Sequence, residues 1–225
     1  MTLKLQLAAS NALETKADLL VVGVFEGKAI DNPIVAALHR ALGGGLTELI
    51  AAEEFKGKRE QRLVIQTLGR APVSKVVLLG LGAEKAISDE SVRVFGAVAG
   101  RTALSEKAVG LSVSVPEGFS DDRLRALAEG LVLGAYRFTK YFTGDRQPKK
   151  ELARIAIFAG GKATTKKAGG ASQQKAVDLG AAVARGVCIA RDLQNEPPNE
   201  LTPKALAGAA VKVANLDGGH EVELR

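Results

Sequence analysis

The stretch Asp18-Leu-Leu-Val-Val-Gly-Val-Phe25 reads as one strand, apolar on both of its alternating faces after the opening aspartate. A strand of that kind has to be covered on both sides, which happens when helices pack on both faces of a largely parallel sheet. The turn residues Asp31-Asn32-Pro33 follow the strand.

The rest of the chain alternates in the way that such a layered fold needs. Leu3, Leu5 and Leu7 interleave with Lys4 and Gln6, the pattern of a half-buried edge strand. A helix over 33–42 ends at Gly43-Gly44-Gly45, and a second, short one runs to about Ala52. Strands follow at 62–68 and 75–80. Ser88 is placed to cap a helix with Asp89 and Glu90 in its first turn, where negative charge suits the helix dipole. Its apolar stripe is Val92, Phe95, Val98 and Thr102. A strand over 108–115 sets Val109, Leu111, Val113 and Val115 on one side and Ser112 and Ser114 on the other. Ser120 caps a further helix with the stripe Leu124, Leu127, Leu131 and Ala135, and 154–158 reads as the last strand of this region. Strands separated by helices predict an α/β domain with a mixed sheet flanked by helices, ending near residue 160.

Beyond it the composition changes. Gly160–Gly170 is a basic, glycine-rich hinge. A long helix over about 172–193 has Ala176, Leu179, Val183, Val187, Ala190 and Leu193 as its apolar positions, and spans about 33 Å. Its flanks hold Gly180, Ala181, Ala182, Ala184 and Gly186, small enough for another backbone to approach closely. Cys188 within it reads as a structural thiol. Asn195-Glu-Pro-Pro198 stops the helix, since proline cannot donate into the ladder. Thr202-Pro203 then restarts one, with the hydroxyl at the cap and proline in the first turn. His220–Arg225 begins an alternating strand, so a third unit is expected to open here without being completed.

Charge is unevenly placed. The chain has 225 residues and a formal charge of +6. Residues 1–135 are neutral, with 16 groups of each sign, whereas 136–175 hold 10 basic groups against Asp145 and Glu151. This segment, with Lys149, Lys150, Lys162, Lys166 and Lys167 as candidate contacts, reads either as a solvated connector or as an electrostatic footprint for phosphates. It includes Tyr136-Arg-Phe-Thr-Lys-Tyr-Phe142, and rings interleaved with cations can hold single-stranded nucleic acid. Because Leu131, Ala135 and Phe138 share one helical stripe, inward packing of the rings is the first expectation. A single cysteine rules out an internal disulfide, and no apolar run approaches the ~20 residues of a membrane span. A soluble protein of the reducing cytoplasm follows.

Motifs for chemistry fall short. Gly80-Leu-Gly82 has Lys85 where a dinucleotide loop needs its third glycine. Gly161-Lys162 is followed by Ala163 in place of the Ser or Thr of a phosphate loop. Gly110-Leu-Ser112 lacks the final glycine of a nucleophile elbow. His39 and His220 have no partners at metal spacing, and the adjacent carboxylates Glu53-Glu54 and Asp121-Asp122 read as solvated charge. No catalytic and no metal-binding residue is expected in this chain.

The run Asn195-Glu-Pro-Pro-Asn199-Glu-Leu-Thr202-Pro203, entered from a long helix, resembles the interdomain junction of the leucyl aminopeptidase (cytosol aminopeptidase) family. Asp18–Phe25, Ala41-Leu-Gly-Gly-Gly45, Phe55-Lys-Gly-Lys58, Val76–Gly82 and Ala135-Tyr-Arg-Phe138 look like its N-terminal domain. The resemblance implies a macro-like N-terminal domain at 1–168, a hinge and long linker helix at 169–194, and the beginning of a metallopeptidase catalytic domain at 195–225. It implies a parent enzyme that removes N-terminal residues from peptides. That parent would be a homo-hexamer carrying two divalent metals (manganese, zinc or magnesium) in a domain whose motifs match no position here. The front part alone would then be inactive, with a role in structure, assembly or access. Some members of the family also bind DNA, which gives the basic segment its second reading. A macro-like domain also raises ADP-ribose as a ligand, but no complete ligand loop supports it.

Overall fold

The computed structural model describes residues 3–8, 12–160 and 170–214. Residues 161–169 of the expected hinge, with Lys162, Lys166 and Lys167, and the expected strand at His220–Arg225 lie outside them.

Six strands form one sheet in the order β1-β6-β5-β2-β4-β3. These are β1 (Lys4–Leu7), β2 (Leu19–Phe25), β3 (Arg62–Gln66), β4 (Lys75–Gly82), β5 (Gly110–Val115) and β6 (Arg154–Ala159). The run that is apolar on both faces lies inside the sheet, with Leu19 against Lys75 of β4 and Leu111 of β5. The alternating Leu3–Leu7 segment is the edge, parallel to β6. Among the described strands only β3 runs antiparallel to its neighbour. The short connection 67–74 explains this, because a parallel crossover needs a dozen residues or more.

Helices α1 (Pro33–Ala41) and α2 (Leu46–Ala52) meet at 109° and cover one face. There Ile34, Val35, Leu38 and Leu46 pack with Leu20, Val22, Leu63, Ile65, Val76, Leu78 and Phe158. Asn32 starts α1 by accepting from the Ile34 N–H at 2.9 Å, with Pro33 in the first turn where its missing N–H costs nothing. Helices α3 (Asp89–Ser105) and α4 (Asp121–Gly134) cover the opposite face, together with Val177 of α5 (Ala171–Asn195). The expected stripes Val92/Phe95/Val98 and Leu124/Leu127/Leu131 are buried there against Val21, Val77, Leu111, Val113 and Ile155. Ser88 caps α3 as expected, and Ser91 answers it: Ser91 N–H donates to Ser88 Oγ at 3.2 Å and Ser88 N–H to Ser91 Oγ at 2.9 Å.

α3 and α4 touch through paired glycines. A β-carbon on Gly130 would sit 2.0 Å from the carbonyl oxygen of Arg93, and one on Gly134 2.1 Å from that of Ala97. Gly96 and Gly100 face the Leu127 and Leu131 carbonyls at 2.6 Å in the same sense. A carboxylate closes the seam: Glu129, nearly buried, accepts from Arg93 Nε at 2.8 Å and Arg125 Nε at 3.1 Å.

α5 is a 25-residue helix, slightly longer at each end than the expected 172–193. Its inner face is Val177 together with Gly180, Ala181 and Ala184 of the small-residue flank. A β-carbon on Gly180 would lie 2.3 Å from the Arg125 carbonyl oxygen of α4. The larger apolar stripe points away, and Leu179 is 51% exposed. Gln174 Oε1 of α5 accepts from the Leu7 N–H at 2.9 Å, satisfying a donor of the edge strand.

The chain divides into two compact units, Met1–Arg185 and Gly186–Arg225. In the second, the Pro197 carbonyl accepts from the Glu200 and Leu201 N–H groups at 2.9 and 3.0 Å, turning the chain after α5. Thr202 Oγ1 then caps α6 (Pro203–Ala214) through the Ala205 N–H at 3.2 Å, and none of the α6 residues is buried. Among the described residues no single helix is long and apolar enough to cross a membrane.

Candidate functional site

The basic segment begins where α4 ends. The stripe reading carries the helix on through Phe138, but α4 stops at Gly134 with Ala135 as its cap. The aromatic and β-branched residues from Tyr136 to Thr139 are weak helix formers. The rings therefore do not continue the buried stripe. Phe138 is half-buried, and its ring centroid lies 5.8 Å from that of Tyr141, inclined by 59°. Tyr141 is 47% exposed, with Lys140 Nζ 5.2 Å from its ring centre. Arg137, Arg146, Lys149 and Lys150 are exposed around this stretch in the sequence, the last two between a 3-10 turn at Gly144–Arg146 and β6.

Lys150 and Arg154 also act on a carboxylate at the start of β2. Asp18 Oδ2 accepts from the Gly110 N–H at 2.9 Å and the Val109 N–H at 2.7 Å, clasping β2 to the entry of β5. The Gly110 bond is the main reason that its carboxyl stays below the usual carboxylate value; partial burial opposes this, and Val109 and the two cations assist. The residue's position directly before a two-faced apolar strand is the signal in the sequence that could have marked it.

The glycines that fail the dinucleotide fingerprint have a steric purpose. A β-carbon on Gly80 would lie 1.9 Å from the Lys58 carbonyl oxygen, and one on Gly57 2.8 Å from that of Phe25. Gly57 and Gly82 adopt φ +77° and +78°, conformations that side chains rarely accept. The loop at 55–61 is thus pressed onto the ends of β2 and β4, its turn held by Gln61, whose Oε1 accepts from the Lys56 N–H at 2.8 Å. Ala83 and a 3-10 turn at Glu84–Ala86 follow β4, so no long helix opens there to receive a phosphate.

Other candidate groups are spread apart. His39 sits in the last turn of α1 with Nδ1 3.3 Å from Thr47 Oγ1, and His220 lies outside the described residues. Glu53, Glu54, Asp121 and Asp122 are exposed, and Ser172 donates to Asp121. Cys188 is half-buried, and burial pushes its thiol above the usual cysteine value. Ser112 Oγ is buried without a hydrogen-bond partner on β5, among Leu20 and Ala156 of the flanking strands. Among the described residues no three His, Cys, Asp or Glu side chains gather as a metal-binding group. They do not fit a two-metal centre, whose ions need several oxygen or nitrogen ligands.

Comparison with known proteins supplies what these side chains do not. The model of the N-terminal domain of the cytosol aminopeptidase family matches residues 21–144. A protein named "Probable cytosol aminopeptidase" in Alkaliphilus oremlandii is 34% identical over 220 residues, covering 96% of this chain and 43% of its own length. One of the same name in Roseiflexus castenholzii is 33% identical over 217 residues, covering 94% and 41%. Among solved structures, a mutant of tomato leucine aminopeptidase superposes with a TM-score of 0.76 at 25% identity, over 95% of this chain and 42% of that one. The bottromycin maturation enzyme BotP in complex with Mn gives a TM-score of 0.63 at 26% identity, over 88% and 36%. The chain spans less than half the length of the curated relatives that it matches.

Proposed function

The chain belongs to the cytosol aminopeptidase family, and on that premise we propose that it is the N-terminal portion of a two-metal aminopeptidase that releases amino acids from the N-termini of peptides. The observation that carries this is the 34% identity over 220 residues to a relative more than twice as long. Two adjacent cations would fix the attacking water and polarise the scissile carbonyl. The described residues supply no set of ligands for them, so no step of hydrolysis is assigned to side chains of this chain. Its part is architectural, organising subunits and limiting access to the catalytic domain. The same reading includes manganese or zinc as the metal, a homo-hexamer in the cytoplasm, and a macro-like origin for 1–168. It also includes 169–194 as the linker and 195–225 as the start of the catalytic domain.

Two assays test it. The complete reading frame containing these residues, supplied with manganese, should hydrolyse a leucyl chromogenic amide; an inert, folded product would refute the assignment. The 225-residue chain alone should show no metal-dependent turnover, and clear turnover would overturn the architectural role.

A second reading is favoured by the exposed Tyr141 ring beneath Lys140. Residues 136–175 would then contact DNA, with Lys149, Lys150, Lys162, Lys166 and Lys167 on phosphates. Affinity for a duplex should fall steeply between low and moderate salt. Lys149→Glu with Lys150→Glu should flatten the log–log salt slope by about 1.8, from about 0.9 per phosphate contact. No binding at low salt removes this reading.

A further inference from the structure

We draw no further inference here: the strongest candidate, the outward apolar face of α5 at Leu179 and Val183, carries nothing because no feature of the structure shows what covers it.

Discussion

The two faces of the sheet are covered by different means. On one, the short helices α1 and α2 press ordinary side chains, Ile34, Val35, Leu38 and Leu46, into the sheet, and the glycines around them mark turns. On the other, α3, α4 and the first half of α5 come together backbone to backbone, with Gly96, Gly100, Gly130, Gly134 and Gly180 each facing a carbonyl oxygen. Where α1 and α2 meet the sheet, a changed side chain meets other side chains, which can give way. The opposite layer cannot, since a carbonyl oxygen belongs to a helix that would have to move as a whole. Glycine therefore marks the turn between α1 and α2, whereas among α3, α4 and α5 it marks backbone contact, as Gly80 does where the 55–61 loop meets β4.

The sharpest way to break that contrast is to add a side chain on each. Gly130→Val should cost about 3 kcal/mol or more, the upper range of overpacking, because the nearest obstacle is the Arg93 backbone. Gly45→Ala, at the start of α2, has nothing within 4 Å of the added carbon and an ordinary φ of −76°. It should be neutral or stabilising by a few tenths of a kcal/mol, roughly the lower end of such exchanges. Urea unfolding midpoints would measure both, and comparable losses at the two positions would sink the distinction.

A subtler version lies within one helix. Gly180→Ala should destabilise by about 1–3 kcal/mol by driving α5 off Arg125. Gly186→Ala, with open space around it, should gain up to about 1 kcal/mol from helix propensity. Thermal melts of the two variants should move in opposite directions.

The smallest expected effect concerns Asp18, which ties the start of β2 to the start of β5 at an exposed edge of the structure. Its carboxyl is depressed in the folded state, so its contribution is present above the unfolded value near 3.8 and fades as pH falls through the lower, folded one. Asp18→Asn should lower stability at pH 7 and weaken the pH dependence below about pH 4. Added salt should shrink the difference, because the group is exposed. An unchanged acid-unfolding curve would show that the clasp contributes nothing.

Much of this arrangement is legible in the residues. Leu19–Phe25 announces a central strand because neither parity tolerates water, and Ser88 and Ser120 announce helix starts because few other residues satisfy the first N–H groups. The direction of β3 follows from the brevity of 67–74. What hydrophobic periodicity does not reveal is the inward side of α5. The pattern is drawn by Leu179 and Val183, but the closest packing is made by Gly180, Ala181 and Ala184, which carry almost no hydrophobic signal. The candidate site was legible only as a surplus of charge. Which rings face outward depended on α4 ending at Gly134, a boundary set by local propensity against a stripe that continues to Phe138. Lys149 and Lys150 are placed on the surface as exposed charge; the other three candidate lysines lie outside the described residues.

The notches on α3 and α4 recur every fourth residue, at 96 and 100 on one helix and 130 and 134 on the other. Four-residue ridges are the natural threads of a helix surface, so the pair behaves as two rods keyed at a single axial setting. Sliding α4 by one position would drive the β-carbon of Leu131 toward the oxygen that Gly130 now clears. Because α4 also receives α5 at Arg125, the setting of the first pair is handed on to the third rod. Alignment along the layer is thus determined by missing atoms, and a mutation there would displace whole helices before it opened any void.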